Sequence, residues 1–209
     1  MMNINYRLPK DLNESLKNME EAIIPSLLDS NKQLTIEFNF EGLKFNKIGI
    51  TIYKILSKSK NVFITFADPG AVALAQRDYP DIKDKIFTFK SFNKSNNIKD
   101  IDSAMISMLP RPYDFDTFEP MCDNYQGMHY SLNPKFEDPN IGIGSVIRER
   151  RKNFINTWKN IYFIQPLNKA ALMHIYPYNW LLFKEENNKY FFKKEFETKP
   201  DNESIFVNL

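Results

Sequence analysis

The hydrophobic positions of the chain first repeat with a helical period and then alternate. Near the N-terminus, apolar residues recur every three or four positions, which predicts a helix that Pro25 kinks or ends. These residues are Leu8, Leu12, Leu16, Met19 and Ile23. Residues 34–40 alternate, which predicts a half-buried strand with Leu34, Ile36, Phe38 and Phe40 on one face. Residues 45–59 return to helical spacing.

Strand-like and helical segments continue to alternate through residue 158. Short apolar runs predict strands at "NVFITF", "KIFTFK", "SAMISMLP" and "MHYSLNP". Helices are predicted at "AVALAQRDY", within residues 111–127, and after residue 144. The polar segment "SFNKSNNIKD" is predicted to be a surface loop. Such alternation indicates an α/β fold with a mainly parallel, Rossmann-like sheet flanked by helices.

The last fifty residues have a different pattern, with four strand-like segments in succession. They are "NIYFIQPL", "AALMHIYP", "NWLLFKE" and "KYFFKKEF", and "ENN" joins the last two. This pattern predicts a C-terminal antiparallel β meander or hairpin at the sheet edge. We therefore expect a single α/β domain over residues 1–209, with an alternating part at 1–158 and a β-rich extension at 159–209.

Composition narrows the class of protein. The 209 residues are 43% hydrophobic and carry a net charge of +2, from 28 Lys+Arg and 26 Asp+Glu. This balance argues against a general nucleic-acid binder. The single cysteine, Cys122, permits no disulfide within the chain and favours a reducing compartment. No apolar run reaches the roughly 18 residues of a membrane span, and no apolar signal core opens the chain, so we expect a cytoplasmic protein.

Three predicted strands end in distinctive turns. Asp68 and Gly70 follow one strand, Arg111 follows a second, and Asn133 follows a third. Open parallel sheets bind ligands beyond the carboxyl ends of their strands. If these strands are parallel, the three turns lie together at the C-terminal ends of the strands and form a candidate ligand or anion site.

The segment "GIGSVIRERR" extends this candidate site. Gly142 and Gly144 allow close backbone approach, Ser145 suits a helix N-cap, and free N–H groups at a helix start favour anions. An ordinary capped helix entry explains the same residues, because neither a Walker loop nor the full G-x-G-x-x-G pattern is present. Half of the six arginines cluster here, and Arg148 and Arg151 are the anion candidates among them. Arg151 could instead lie along the apolar stripe of its helix or pair with a buried carboxylate.

The remaining candidate residues indicate no catalytic, metal or cofactor site. Cys122, His129 and His174 lack an orienting third group or a set of metal ligands. An acidic run at residues 114–123 reads as a solvated segment, an acid pair or a docking loop. Aromatic residues near this run and near Pro177 are candidates for partner binding, although core packing explains them too. They are Tyr113, Phe115, Tyr176, Tyr178 and Trp180.

The order of motifs resembles a known family. The motifs are "FADPGAVALAQRDYP", "MLPRP", "LNPKFED", "GIGSVIRERRKNFINTWKNIYFIQPL", "ALMHIYPYNWLLFKE" and "KYFFKKEFETKP". Together they resemble an uncharacterised domain family of plants, algae and cyanobacteria that includes the chloroplast protein low photosystem II accumulation 3.

This resemblance implies an accessory protein rather than an enzyme. It would support biogenesis or maintenance of photosynthetic complexes, of the photosystem II type, by binding a photosystem or assembly-factor protein at the thylakoid surface. In some plant relatives the domain accompanies an adenylate kinase domain. That association adds a little support to the alternative, a nucleotide- or phosphometabolite-binding domain (a sensor or an enzyme), which rests on the strand-end turns and the helix start at Gly142–Arg151.

Overall fold

The computed structural model describes residues 7–136 and 145–209, and only the backbone of residues 145–148. The α-helices are α1 Leu12–Ser26, α2 Phe45–Leu56, α3 Pro69–Asp78, α4 Phe89–Asn93, α5 Phe115–Asn124, α6 Ser145–Asn156 and α7 Asn202–Val207. The strands are β1 Gln33–Phe38, β2 Asn61–Phe66, β3 Ile86–Thr88, β4 Ser103–Met108, β5 Met128–Leu132, β6 Lys159–Leu167, β7 Ala170–Ile175, β8 Trp180–Glu186 and β9 Lys189–Phe196. Short 3₁₀ turns occupy Pro80–Lys85, Asn96–Lys99 and Pro112–Asp114.

Within the described ranges, the strands form a nine-stranded sheet in the order β3-β2-β4-β5-β1-β6-β7-β8-β9. Strand β2 pairs in parallel with β3 and β4, and β4 pairs in parallel with β5. The last four strands pair antiparallel in chain order. The predicted α/β class, with a mainly parallel core and a C-terminal antiparallel meander, is confirmed. None of the helices in the described ranges combines the length and hydrophobicity needed to cross a bilayer.

The chain divides into two compact units. One contains Met1–Asp29, Ile36–Leu43 and Asn160–Leu209, and the other contains Ser30–Thr35 and Lys44–Lys159. The boundary expected near residue 158 lies beside the junction between Lys159 and Asn160. However, α1 belongs to the unit of the C-terminal strands, which no local pattern indicates. The single-domain assignment of residues 1–209 stays a prediction.

The unit that contains β2 to β5 has an aromatic core on one face of its strands. Phe118 of α5 is fully buried, and its ring contacts those of Phe89, Phe136, Phe154 and Trp158. The ring centroids lie 5.1–6.0 Å apart, a range in which tilted and edge-to-face aromatic pairs are favourable. Helices α4, α5 and α6 therefore pack together through rings.

The segment "SFNKSNNIKD" lies mostly at the surface as predicted, but its assignment as a loop is wrong. This segment continues α4 and then forms a 3₁₀ turn, and it buries Phe92 and Ile98 in the aromatic core. Two apolar residues in ten make no visible period, so the sequence reads as a loop. Burial follows instead from the neighbouring rings of Phe63 and Tyr125, which lie 5.3 and 5.6 Å from Phe92.

The unit that contains the C-terminal strands has local features that the sequence predicted. Helix α1 carries Pro25 in its last turn and ends at Ser26. Asn187 and Asn188 both have positive φ angles, of 52° and 59°, and join β8 to β9. Positive φ at both central residues is typical of two-residue type I′ hairpin turns, where asparagine is common. Phe40 lies beyond the end of β1 and is exposed, so its assignment to the buried face was wrong.

Candidate functional site

The three predicted turns lie at one end of the sheet, beyond the C-terminal ends of its parallel strands. The last residues of the parallel strands are in register, because Phe66 pairs with Met108 and Met108 pairs with Leu132. Asp68, Arg111 and Asn133 therefore follow neighbouring strand ends. Open parallel sheets bind ligands at this end, outside the carboxyl ends of their strands.

Two of these turn residues, and the glycine beside the first, have local structural roles. Asp68 Oδ2 accepts a hydrogen bond from the Ala71 N–H at 2.8 Å and so caps α3, of which Gly70 is the second residue. The Arg111 N–H donates to Asp114 Oδ2 at 2.9 Å. Burial raises the pKa of the Asp114 carboxyl, and this hydrogen bond opposes the rise. The first two turns therefore begin helical segments, and they also lie at the C-terminal ends of β2 and β4.

Asn133 has a conformation that suits its residue type. It adopts the left-handed region with φ of 47°, and its side chain is buried. Asparagine tolerates this region better than most residues. The buried amide lies immediately after β5.

The side chain of Arg151, a residue of α6, contacts the turn that follows β4. Its Nη2 donates to the Pro112 carbonyl oxygen at 3.2 Å, and its guanidinium lies 5.1 Å from the centre of the Phe115 ring. These contacts resemble the expected packing along the apolar stripe of α6. Ser145 and Arg148 belong to α6, but their side chains lie outside the described part, as do Gly142 and Gly144 entirely. An anion site formed by them stays a prediction.

The ion pair between Glu119 of α5 and Arg150 of α6 was not identified from the sequence. Glu119 is 7% exposed, and it accepts from Arg150 Nε at 3.0 Å and from Arg150 Nη2 as well. This two-point geometry is typical of strong arginine–carboxylate pairs. Both residues lie in charged runs that are visible in the sequence, yet no signal there pairs residues 31 positions apart.

A cleft of about 530 Å³ opens beside this ion pair. Its lining residues are Gln33, Glu119, Asp123, Glu149, Arg150, Asn153, Phe154 and Thr157. Burial raises the pKa of Asp123, the neighbouring Glu119 raises it further, and Arg150 opposes both effects. Because the lining carries three carboxylates against one guanidinium that already binds Glu119, the cleft is unsuited to an anion.

The candidate titratable groups of the core are in their neutral forms. His129 Nε2 and Ser107 Oγ lie 2.6 Å apart, and Ser107 Oγ lies 3.0 Å from Thr65 Oγ1. Burial lowers the pKa of His129 to about 3, so the ring is neutral at pH 7. Burial also raises the pKa of the Cys122 thiol, and the nearby Asp123 and Glu119 add to this rise. A protonated, buried thiol is a poor nucleophile.

The ring of His174 lies between hydrogen-bonding groups and a stacked aromatic ring. Its ring nitrogens lie 2.9 Å from Asn160 Oδ1 and 2.9 Å from the Tyr178 carbonyl oxygen, and the ring stacks on Trp180. Within residues 7–136 and 145–209, no cluster of three or more His, Cys, Asp or Glu side chains is placed to hold a metal ion.

The aromatic residues considered for partner binding differ in exposure. Tyr113 is 75% exposed, whereas Phe115 and Trp180 are buried. Phe115 packs edge-to-face on Phe154, which makes it a core residue. Tyr176 and Tyr178 are half-buried. Of this set, Tyr113 is the side chain most open to a partner.

A larger exposed aromatic surface lies on β9. We call it the aromatic edge, and it consists of Lys189, Tyr190, Phe191, Phe192 and Lys193. The three rings are 43%, 52% and 41% exposed, and the two lysines are exposed as well. Among the strands that the structure describes, β9 is last in the order and pairs only with β8. The sequence predicts this strand but not its exposure, although three adjacent rings between lysines are an unusual run.

The comparisons with known proteins give the family of the chain. Neither a search of curated proteins nor a search of solved structures returned a match. A scan against family models did return one, and it covers nearly all of both units. The chain belongs to the family described as Domain of unknown function (DUF1995), whose model matches residues 9–206.

Proposed function

We propose that this protein is a non-enzymatic accessory protein that acts by binding another protein through the aromatic edge. The observation that carries the proposal is the set of three adjacent, exposed rings on a strand with one strand neighbour. Exposed aromatic clusters on soluble domains commonly mark interaction sites. Tyrosine and phenylalanine are enriched at protein interfaces, where their burial contributes much of the binding energy.

The position of the aromatic edge on an outermost strand gives a second reason to expect a partner. Native proteins protect sheet edges with short strands, charged residues, bulges or covering segments. Strand β9 has eight residues, and its edge carries rings that lose their contact with water only when another surface covers them. The lysines at each end of the ring cluster keep the uncovered surface soluble.

The resemblance noted in the sequence supplies the cellular context of this proposal. Under it, the protein supports biogenesis or maintenance of photosynthetic complexes of the photosystem II type. The partner is then a photosystem subunit or an assembly factor, and the protein acts in the cytoplasm at the periphery of the thylakoid membrane. The family itself has no assigned function, so this context rests on the similarity of motifs.

A pull-down from detergent-solubilised cyanobacterial photosynthetic membranes tests the proposal. The bait is the full chain, compared with the double variant Tyr190→Ser/Phe191→Ser and with Phe40→Ser, which removes an equally exposed ring outside β9. We expect wild type and Phe40→Ser to recover a photosystem or assembly protein and the double variant to lose it. Recovery of no such protein, or equal recovery by all three baits, contradicts the proposal.

Binding of a nucleotide or phosphometabolite is a second candidate function. It is favoured by the in-register ends of β2, β4 and β5 and by the position of Arg151 at the turn after β4. A thermal-shift screen with nucleotides and sugar phosphates tests it, because a ligand at a hundred times its Kd adds about 2.7 kcal/mol of stability. No shift with any anion, or an equal shift in Arg151→Ala, contradicts this function.

A further inference from the structure

We infer that His174 of β7 is a pH-sensitive latch, which in its doubly protonated form ties the start of β6 to the turn between β7 and β8. This inference goes beyond the proposed function and does not depend on the aromatic edge. It follows from the groups that face the two ring nitrogens, from the orientation of the Asn160 amide and from the surrounding charges.

Both ring nitrogens of His174 face oxygen atoms. Nδ1 lies 2.9 Å from Asn160 Oδ1, and Nε2 lies 2.9 Å from the Tyr178 carbonyl oxygen. A neutral imidazole has one N–H group and one acceptor nitrogen, whereas an imidazolium has two N–H groups. A neutral ring therefore holds a nitrogen lone pair against one of these oxygens, and only the imidazolium donates a hydrogen bond to both.

The orientation of the Asn160 amide is fixed by its other neighbours. Its Nδ2 donates to Glu37 Oε1 at 3.1 Å and to the Tyr162 carbonyl oxygen at 3.4 Å. A carboxylate and a backbone carbonyl only accept hydrogen bonds. Rotating the amide would place its oxygen against both acceptors, so the amide oxygen is the atom that faces His174.

The contacts of the ring offset the cost of keeping a charge in a buried place. His174 is 7% exposed, and burial by itself favours the neutral form. The ring stacks on Trp180 with the ring centroids 4.6 Å apart, within the distance at which an indole face stabilises a cation. The Glu37 carboxylate lies behind the Asn160 amide, and hydrogen bonds from a charged donor are stronger than neutral ones.

Two further charged groups lie close to the latch. The Lys199 ammonium lies 5.8 Å from the centre of the Trp180 ring and opposes a second positive charge there. The Glu195 carboxylate of β9 accepts from Asn179 Nδ2 at 2.8 Å, at the end of the turn, and favours it. These two effects have opposite signs, so the acceptors at the ring nitrogens decide the protonation state.

Loss of the proton opens the latch, because a neutral His174 can donate to only one of the two oxygens. The bond to Asn160 is the one retained, since an amide that donates to a carboxylate is the stronger acceptor. The turn at residues 176–179 is then released. The stabilisation by His174 is complete below pH ~6.5, where the unfolded chain also holds the proton, and is lost as the pH rises through the higher midpoint of the folded ring.

NMR titration of the ring signals tests the protonation state in the full chain labelled with ¹³C and ¹⁵N at histidine. The chain has two histidines, so His174→Gln assigns both signals. We expect His174 to titrate with a midpoint above pH 7, and both of its ring nitrogens to be protonated at pH 6.5. Asn160→Ala should lower the midpoint by about one pH unit. The control Asn208→Ala, which removes an amide bonded to the Ser204 carbonyl oxygen, should leave it unchanged.

The heteronuclear ¹H–¹⁵N Overhauser effect of the Tyr178 and Asn179 amides measures the latch itself. We expect it to fall between pH 6 and pH 8.5 in wild type and to stay constant in His174→Gln. A midpoint below pH 7, or a neutral tautomer at pH 6.5, overturns the charged state. A turn whose mobility does not change across the titration overturns the latch. Far-UV circular dichroism checks that each variant is folded, and the wild-type series decides both points without a variant.

Discussion

The buried histidine of β5 makes a quantitative prediction about stability in acid. His129 is almost fully buried, with Phe118 and Trp158 against its ring and Ser107 at its Nε2. Burial lowers the pKa of His129 to about 3, whereas an unfolded histidine titrates near ~6.5. Between these two values the unfolded chain takes up a proton that the folded chain rejects. The contribution to stability is complete above pH ~6.5 and is lost as the pH falls toward 3.

The size of the effect follows from the two pKa values. Each pH unit below ~6.5 costs about 1.4 kcal/mol of unfolding free energy, because one more proton binds to the unfolded state. From pH 6.5 to pH 5.0 this amounts to about 2 kcal/mol. Carboxylates that titrate in the same range contribute equally to the protein with and without His129. The difference between two variants therefore isolates the histidine.

Urea unfolding followed by far-UV circular dichroism at pH 7.5, 6.5, 5.8 and 5.0 measures this difference. His129→Gln keeps a group that can hydrogen-bond Ser107 and removes the titration. We expect the stability of wild type relative to His129→Gln to fall by about 2 kcal/mol over this range. Ser131→Ala, a change at a fully buried, non-titrating neighbour on β5, is the control and should change stability equally at every pH. Parallel curves for wild type and His129→Gln would show that the folded ring takes up its proton over the same pH range as the unfolded one, which refutes the reasoning.

Three further predictions concern packing and charge in the same unit, and urea unfolding at pH 7 measures each. Phe118→Ala should cost about 3–5 kcal/mol, because it removes a fully buried ring that three phenylalanine rings, a tryptophan ring and the His129 ring contact; a loss below 1 kcal/mol contradicts the packing described. Gly127→Ala should cost about 1–3 kcal/mol, because the added Cβ overlaps the Tyr125 hydroxyl and the Ser103 carbonyl oxygen; an unchanged midpoint refutes this. Arg150→Ala should destabilise more than Glu119→Gln, because it leaves a buried carboxylate unpaired, whereas Arg150 is 61% exposed and can reach water. The reverse order would mean that Glu119 is not buried.

The common position of the three turns at the strand ends was predictable because it depends on a general property of parallel sheets. Distinctive residues after three buried strands were enough to bring Asp68, Arg111 and Asn133 to one edge. The contacts of Arg151 were not predictable. Its neighbours, Pro112 and Phe115, lie almost forty positions earlier in the chain, and their meeting depends on how α6 packs against α5.

For the aromatic residues, too, the sequence did not show which rings are buried and which are exposed to a partner. Phe115, Trp180 and Phe191 look alike in sequence, since each lies in a short run of rings and charges. Phe115 and Trp180 are buried because α6 and the sheet cover them, and Phe191 is exposed because β9 lies at an edge. Position in the sheet, rather than residue type, decides which ring is open to a partner.

The sequence by itself determined the α/β class, the four C-terminal strands and the hairpin at Asn187 and Asn188. These features depend on the period of apolar residues and on local backbone preference, both of which a few neighbouring residues contain. Only the tertiary structure decided the burial of α4, the pairing of Glu119 with Arg150 and the exposure of the aromatic edge. Burial and charge pairing depend on residues that lie far apart in the chain and meet only after the helices and strands have packed.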